Sequence, residues 1–194
     1  MKLNIFFSVT SAIILSISIL FDVNYISYER PIPYSRMQEI NFYKFKGFKK
    51  PGMTLDGMAE FAFIKTDREI RYPDEQIIEI TTYFHPSRSY VFSQGIRSPG
   101  LLRHELYHFH IAEYCTRLLR QEILEKDGHI SRKTISDLDI KYDELENLLQ
   151  NEYDTETYHS YVLQEQKKWE DRIDSLLSSL QDFSNPVLHI RDKE

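Results

Sequence analysis

Residues 104–113 of the chain read His104-Glu105-Leu106-Tyr107-His108-Phe109-His110-Ile111-Ala112-Glu113. They contain the pattern His-Glu-x-x-His. On an α-helix this spacing places the two imidazoles on one face, about one turn apart, as two ligands of a tetrahedral zinc ion require. Glu105 lies about 100° from His104 around the helix axis, so it borders the metal side without facing it. The stretch therefore predicts a helix that carries two zinc ligands and a general base for water.

The other polar residues of this stretch do not share the metal side. Glu113 lies about 180° from His104 around the helix and His110 about 240°, so neither is expected to bind the same metal. Cys115 faces that side, but it lies roughly 10 Å beyond His108 along the axis and is expected in the core. It is the only cysteine, which excludes a cysteine-based zinc cluster. The ligands must therefore be histidines and carboxylates.

A catalytic zinc site has three protein ligands and one open position, so a third ligand is needed. The remaining candidates are carboxylates and four histidines, namely His85, His129, His159 and His189. His159 is favoured because a third helix is predicted to begin around it and to fold back against the central helix. Glu156, three residues earlier on the same side, is either the alternative ligand or the partner that orients His159.

Tyr153 and Tyr158 lie in the same segment as His159. A phenol donates a hydrogen bond, and such a donor stabilises the oxyanion that forms when a carbonyl is attacked. Both tyrosines are therefore candidates for that role. The predicted catalytic residues are Glu105, Tyr153 and Tyr158, and the predicted Zn²⁺ ligands are His104, His108 and His159.

The two halves of the chain differ in the period of their apolar residues. The first half has short runs rich in β-branched and aromatic residues, which predict strands at 40–48, 59–64, 77–84 and 89–92, with a loop at 71–74. The second half has a helical period, which predicts helices at 101–126, from 131 or 134 to about 149, and from 154 or 155 to about 181. We therefore predict an α+β fold: a small, mostly antiparallel sheet followed by three helices, the first a zincin-like active helix.

The length of 194 residues suits one compact domain. Residues 1–21 place one basic residue, Lys2, before an apolar run, which is typical of a signal peptide or an uncleaved N-terminal anchor. We predict a linker at 22–37, a zincin-like metalloprotease domain at 38–183 and a tail at 184–194, with a possible edge strand at 187–190.

The net charge is −6, from 24 basic and 30 acidic residues. Nucleic-acid binding needs clustered lysines and arginines, so a general nucleic-acid binder is excluded. The apolar N-terminus favours a secreted or periplasmic protein, or one anchored to the membrane by residues 1–21. The expected partner is a peptide or protein substrate, and membrane contact is expected only through an uncleaved N-terminal segment.

Three segments of the chain share the motifs of one family. They are Phe84-His85-Pro86-Ser87-Arg88-Ser89-Tyr90-Val91, then Leu101-Leu102-Arg103 followed by the central stretch, then Tyr153-Asp154-Thr155-Glu156-Thr157-Tyr158-His159 with Gln164-Glu165-Gln166 and Trp169. Over roughly residues 40–180 the chain resembles a bacterial family of unknown function described as predicted secreted zinc-dependent proteases. Tyr90 replaces the family's usual tryptophan, Leu106 stands at an often polar position, and His110 stands where aspartate is common. The ligand and base positions, His104, Glu105, His108 and His159, keep the family's pattern.

The resemblance implies a metallopeptidase in which zinc-activated water hydrolyses peptide bonds and Glu105 is the general base. In such proteases an extended peptide pairs with an edge strand above the active helix, and residues 77–84 or 89–92 are the candidates for that edge. Two alternatives are compatible with the same residues. One is a non-catalytic zinc-binding or partner-binding envelope protein, and the other is a zinc amidase that acts on cell-wall peptides.

Overall fold

The computed structural model describes residues 29–47, 61–92, 99–126 and 130–190. The predicted signal or anchor at residues 1–21 and the candidate ligand His129 lie outside these ranges. Within them, no helix combines the length and the apolarity needed to cross a lipid bilayer. Small antiparallel sheets and three long helices make up the described fold, so the predicted α+β class is confirmed.

The three helices follow one another in the second half of the chain. Helix α1 spans Pro99–Glu125, α2 spans Arg132–Thr157 and α3 spans Leu163–Ser179. The hydroxyl of Ser131 accepts a hydrogen bond from the backbone N–H of Thr134 at 3.1 Å and caps α2, which therefore begins at the first of its two predicted start positions.

Helix α1 is the central element of the core. It contributes buried side chains to all three hydrophobic clusters, for example Phe109 to the first, Leu119 to the second and Cys115 to the third. Cys115 is fully buried, as predicted. Because α1 contacts both the sheet and the other helices, its position fixes where the His-Glu-x-x-His motif lies in the molecule.

The main sheet is built around strand β4, Ile77–Phe84. Strand β3, Thr66–Asp74, runs antiparallel along one edge of β4. Strands β1, Ile32–Pro33, and β6, Val187–His189, pair antiparallel with the two ends of the other edge. Ile78, Ile80, Thr82 and Phe84 alternate along β4 and are buried, which is the period expected of a strand whose one face packs on α1.

A second, two-stranded sheet lies beside the first turns of α1. Strand β2, Phe61–Phe63, pairs antiparallel with strand β5, Tyr90–Phe92, and the rings of Phe63 and Tyr90 stack 5.4 Å apart. Four short 3₁₀ helices connect these elements, at Tyr34–Glu39, Phe42–Lys44, Pro86–Arg88 and Gln181–Phe183.

A buried ion pair network ties α1 to the sheet and to the C-terminal segment. One carboxylate oxygen of Glu113 accepts hydrogen bonds from Arg117 at 3.0 Å and from Arg120 at 2.9 Å. Arg120 also donates to the backbone carbonyls of Ile80 and Phe183. Glu113 therefore has a structural role, which agrees with its exclusion as a metal ligand.

A second network docks α2 onto strand β3. The guanidinium of Arg68 is buried and donates to Asp139 at 2.6 Å, to Asp143 at 2.8 Å and to Glu146 at 3.1 Å, all three on α2. Its Nε donates to Thr116 of α1 at 2.9 Å. The Arg68 side chain thus connects β3 to both α1 and α2.

The predicted helix boundary near residue 154 is wrong. Helix α2 continues through the predicted interruption at 151–154 to Thr157, and α3 begins at Leu163. Tyr158, His159 and Ser160 between them all have positive φ, at 48°, 50° and 80°. A left-handed backbone cannot continue a right-handed helix, so the chain turns here.

Two predictions in the sheet half also need correction. Residues 42–44 form a 3₁₀ helix instead of part of a strand, because the Asn41 side chain accepts from the Tyr43 N–H and starts a turn. The predicted loop at 71–74 belongs to β3, whose register shifts there; Pro73 is tolerated because β3 is an edge strand.

The predicted linker and tail both contain ordered parts of the fold. Strand β1 lies within the predicted linker, 22–37, and pairs with β4. Strand β6 lies within the predicted tail, 184–194, where the edge strand was expected, and also pairs with β4. The domain therefore begins before residue 38 and extends beyond residue 183.

The Arg68 network makes a testable contribution to stability. We expect Arg68→Ala to lower the free energy of unfolding by about 2–4 kcal/mol, because the partly buried carboxylates of Asp139 and Glu146 then lie together without a cation. The matched control on the same strand is Arg71→Ala, which removes only an exposed pair with Glu69 and should cost less than about 0.5 kcal/mol. Urea unfolding followed by circular dichroism measures both values. Equal losses in the two variants would contradict the role assigned to Arg68.

Candidate metal centre

Helix α1 presents His104 and His108 toward the same point, as their spacing predicts. Their Nε2 atoms lie 3.2 Å apart and the ring planes are nearly perpendicular. His104 is fully buried and His108 largely so. One turn of helix separates the two residues, so the pair is set by the backbone of a single element.

A carboxylate from α2 completes a triangle with these nitrogens. Oδ1 of Asp154 lies 3.1 Å from Nε2 of His104 and 3.0 Å from Nε2 of His108. Ligands about 2.0 Å from a tetrahedral zinc ion are about 3.3 Å from one another, so the three observed separations are close to the edges of such a site. The sequence predicts Asp154 at the start of the third helix and does not single it out as a ligand. The structure adds it to the candidate ligands.

His159 approaches the same carboxylate oxygen from the turn that follows α2. Its Nδ1 lies 3.1 Å from Oδ1 of Asp154, and His104, Asp154 and His159 offer ligand atoms that all lie within 4.8 Å of one another. The structure therefore brings the predicted third ligand to Asp154 and His104. It does so from a left-handed turn after the second helix, and the predicted position at the start of the third helix is wrong.

Neighbouring side chains hold the two helix histidines in place. Gln150 contacts His108 twice, through its Oε1 to the ring Nδ1 and through its Nε2, which donates to the His108 carbonyl at 2.9 Å. The ring of Tyr153 stacks on that of His104, with centroids 4.5 Å apart. Nδ1 of His104 is buried and has no hydrogen-bond partner among the described residues, so the polar contacts of this ring are all made at Nε2.

Glu105 lies beside the triangle, buried against strand β2. The backbone of Ile64 forms a hydrogen bond to its carboxylate, and burial raises the pKa of Glu105 to about 7. Glu105, His108, Asp154 and His159 all line one open cavity of about 410 Å³. A carboxylate of this pKa, next to a cluster of metal-ligand atoms and open to a cavity, has the position and basicity of a general base at neutral pH.

The charges of the cluster are strongly coupled. Burial lowers the pKa of His104 to about 4. Burial also lowers the pKa of His108, but the hydrogen bond and charge of Asp154 outweigh this effect and raise it to about 9. For Asp154, burial is outweighed by hydrogen bonds from His104 and His108, so its pKa lies well below the usual range. With a pKa of about 9 for His108 and about 4 for His104, the metal-free protein at neutral pH has a proton on His108 beside the Asp154 carboxylate and a neutral His104.

Other candidates from the sequence lie away from the cavity. Glu156, the alternative ligand, accepts a hydrogen bond from the indole of Trp169 at 2.6 Å, so the carboxylate that meets the histidines is that of Asp154. Tyr153 is buried beneath His104 and Tyr158 is 57% exposed; neither lines the cavity, which leaves the predicted oxyanion role without geometric support.

The remaining histidines of the described chain have other positions. His110 contacts the hydroxyl of Tyr34 at 2.5 Å, which agrees with its exclusion as a ligand. His85 follows β4 and His189 ends β6, and neither belongs to the cluster of ligand atoms.

Metal binding should release a proton from this cluster. A divalent ion needs the neutral imidazole of His108, whose pKa is about 9 in the metal-free protein. We therefore expect the apparent affinity to fall about tenfold per pH unit from pH 9 to pH 7, with about one proton released near pH 7. Calorimetric titration with zinc in buffers of different ionisation enthalpy measures the proton count. An affinity that does not change over this pH range would contradict the assignment.

Gln150 should influence metal affinity without binding the metal. We expect Gln150→Ala to weaken zinc binding by roughly 10–100-fold, because the His108 ring loses the partner that orients it. Asn151→Ala is the control, since Asn151 lines the same cavity and is the next residue along α2. Competition with a chromophoric chelator measures both affinities, and equal affinities for the two variants would exclude an orienting role.

Comparisons of the chain with protein-family models, curated proteins and solved structures found no match. The resemblance to secreted zinc-dependent proteases therefore stays a prediction from the motif residues. Independently of that resemblance, the fold brings His104, His108, Asp154 and His159 together and places Glu105 beside them.

Proposed function

We propose that this chain is a zinc-dependent metallopeptidase. One observation carries the proposal: ring nitrogens of His104, His108 and His159 all lie within 3.1 Å of Oδ1 of Asp154, and a buried glutamate of raised pKa lines the cavity beside them. Strongly perturbed carboxyl and imidazole groups that share a cleft are typical of catalytic sites.

Zinc fits the donor set of the cluster. Imidazole nitrogens and a carboxylate oxygen are its usual ligands when thiolates are lacking, and the spacing of the three most buried donors suits a tetrahedral ion. When bound, the ion would supply Lewis acidity, which polarises a peptide carbonyl and lowers the pKa of water. His104, His108 and Asp154 would hold it, and His159 lies within reach.

Glu105 performs the proton transfers of the proposed reaction. It takes a proton from water while the water oxygen attacks the carbonyl carbon of the peptide bond. It then gives the same proton to the amide nitrogen as the carbon–nitrogen bond breaks, so the glutamate ends the cycle unchanged. A pKa near 7 suits both steps, because the carboxyl group both accepts and donates at neutral pH.

The substrate is a peptide in extended conformation. Residues 62–66, which include the end of β2 and the chain that follows it, form one wall of the cavity, and α2 contributes the other through Asn147, Gln150 and Asn151. Neither strand suggested by the sequence supplies this wall. Strand β4 is paired along both edges, and β5 does not line the cavity. A peptide would therefore lie along β2.

The proposal includes a location outside the cytoplasm. The apolar run within residues 1–21 supports export to the periplasm or the medium, or retention at the membrane by this segment. With the site facing an extracytoplasmic compartment, exported proteins or peptides are the available substrates.

The number of protein donors favours a second candidate function. Four protein ligands close a tetrahedral site, as in structural zinc sites, whereas catalytic sites keep one position open. If all four donors bind one ion permanently, the chain is a non-catalytic zinc-binding protein. Substitution of Glu105 separates the two candidates, because only a catalytic site depends on it.

We expect Glu105→Gln to retain one zinc ion per chain and to lower kcat/KM for peptide cleavage by about 10²–10⁴-fold, because the base is lost and the ligands stay. Zinc content by atomic emission and cleavage of a peptide library by mass spectrometry are the two measurements. The control is Glu125→Gln, the same substitution at an exposed position of α1.

The outcomes separate the candidates. Cleavage by wild type and by Glu125→Gln, together with loss of cleavage in Glu105→Gln at equal zinc content, supports the peptidase. One zinc ion per wild-type chain with no cleavage of any library peptide would instead support the non-catalytic protein. A wild-type chain that binds no zinc would overturn both.

A further inference from the structure

The four ligand atoms of the cluster are not held equally firmly. His104 and His108 are held by α1, and Asp154 by the last turns of α2, next to Gln150 and Tyr153, both of which contact the histidines. His159 alone lies outside a helix. Its side chain is 35% exposed, whereas that of His104 is 1% exposed.

The backbone that carries His159 is strained. Three successive residues without glycine, Tyr158, His159 and Ser160, have positive φ. A left-handed conformation is unfavourable for a residue other than glycine, and such residues cluster at functional sites. The turn that brings His159 to Asp154 is therefore held in a backbone conformation that its residues do not favour on their own.

The strained turn can move without disturbing the core. The hydrogen bonds across it return to the end of α2, from the N–H of His159 to Asp154 and from the N–H of Val162 to Thr157. Tyr158 and Tyr161 within the turn are both at least half exposed. Because the core clusters use residues on either side of the turn, a change between residues 158 and 162 leaves them intact.

We propose that His159 is a displaceable fourth ligand, which closes the metal site in the resting protein and leaves it when substrate enters. Three donors, His104, His108 and Asp154, then remain, and one position becomes open, as a catalytic site requires. The inference rests on the proposed metal centre. It explains how a metal with four protein ligands could still bind the water that hydrolysis requires. It revises the role predicted for His159 from an essential ligand to a gate.

Removal of the His159 ring tests this role directly. We expect His159→Ala to bind one zinc ion with an affinity no more than roughly 10–100-fold below that of wild type, which is the effect of losing a residue that only supports a metal site. We expect Asp154→Ala to lose more zinc affinity than this. Zinc titration against a competing chelator gives these affinities. In the Co²⁺ form, His159→Ala should show weaker visible absorption than wild type, because the space left by one imidazole admits more than one water molecule, and Co²⁺ absorbs more weakly as its coordination number rises above four.

A backbone variant tests the same gate without touching a ligand. Ser160→Gly should hold the turn closed, since glycine adopts a φ of 80° without strain, whereas Ser160→Ala should not. Free imidazole, added to the Co²⁺ proteins, measures how readily the His159 position is vacated. The expected order of imidazole affinity is His159→Ala above wild type, and wild type above Ser160→Gly.

Three results would count against the gate. Loss of metal from His159→Ala equal to that from Asp154→Ala would make His159 an essential ligand and overturn the inference, while the proposed function would stand. Identical imidazole affinities in wild type, Ser160→Gly and His159→Ala would also overturn it. A wild-type protein that binds neither Zn²⁺ nor Co²⁺ would overturn the gate and the proposed function together.

Discussion

One carboxylate oxygen contacts three imidazole nitrogens, and much of the described structure positions the residues that make this contact. Oδ1 of Asp154 lies within 3.1 Å of ring nitrogens of His104, His108 and His159. Two helices and a turn must be placed to within a few tenths of an ångström for this to occur. The placement comes from interactions outside the cluster. Helix α1 is fixed by the core clusters and by the Glu113 network, and α2 is fixed to β3 and α1 by Arg68.

The same arrangement links stability to metal chemistry. Bringing three imidazoles and a carboxylate out of water is unfavourable unless a cation is shared among them. In the absence of a metal, a proton on His108 provides that cation: the hydrogen bond and charge of Asp154 raise the pKa of His108, whereas burial lowers the pKa of His104. A divalent ion would replace the proton with a larger charge. Folding, proton binding and metal binding are therefore coupled at one point of the molecule.

Local sequence patterns predicted the features that a single element determines. The positions of His104, Glu105 and His108 follow from helix geometry, and β4 follows from its alternating β-branched residues. Asp154 was missed because its role depends on where α2 ends, and that depends on tertiary contacts. Thr155 and Thr157 have weak helix propensity, yet the last turn persists because Tyr153 packs beneath His104 and Glu156 binds Trp169. If the predicted second helix had been continued by one more turn, Asp154 would have been predicted on the same helix face as Gln150, which contacts α1.

The position of Arg120 has a consequence for how the protein behaves among other chains. Strands β1 and β6 cover only the two ends of one edge of β4, and the edge of a sheet offers backbone groups to any neighbouring strand. Between the parts of β4 that pair with β1 and β6, Arg120 donates two hydrogen bonds to the Ile80 carbonyl, and the Pro186 carbonyl accepts one from the Ile80 N–H. A side chain from α1 thus takes the place of a missing stretch of strand. The middle of the sheet is thereby closed to pairing with another molecule, which protects the fold from association through that edge.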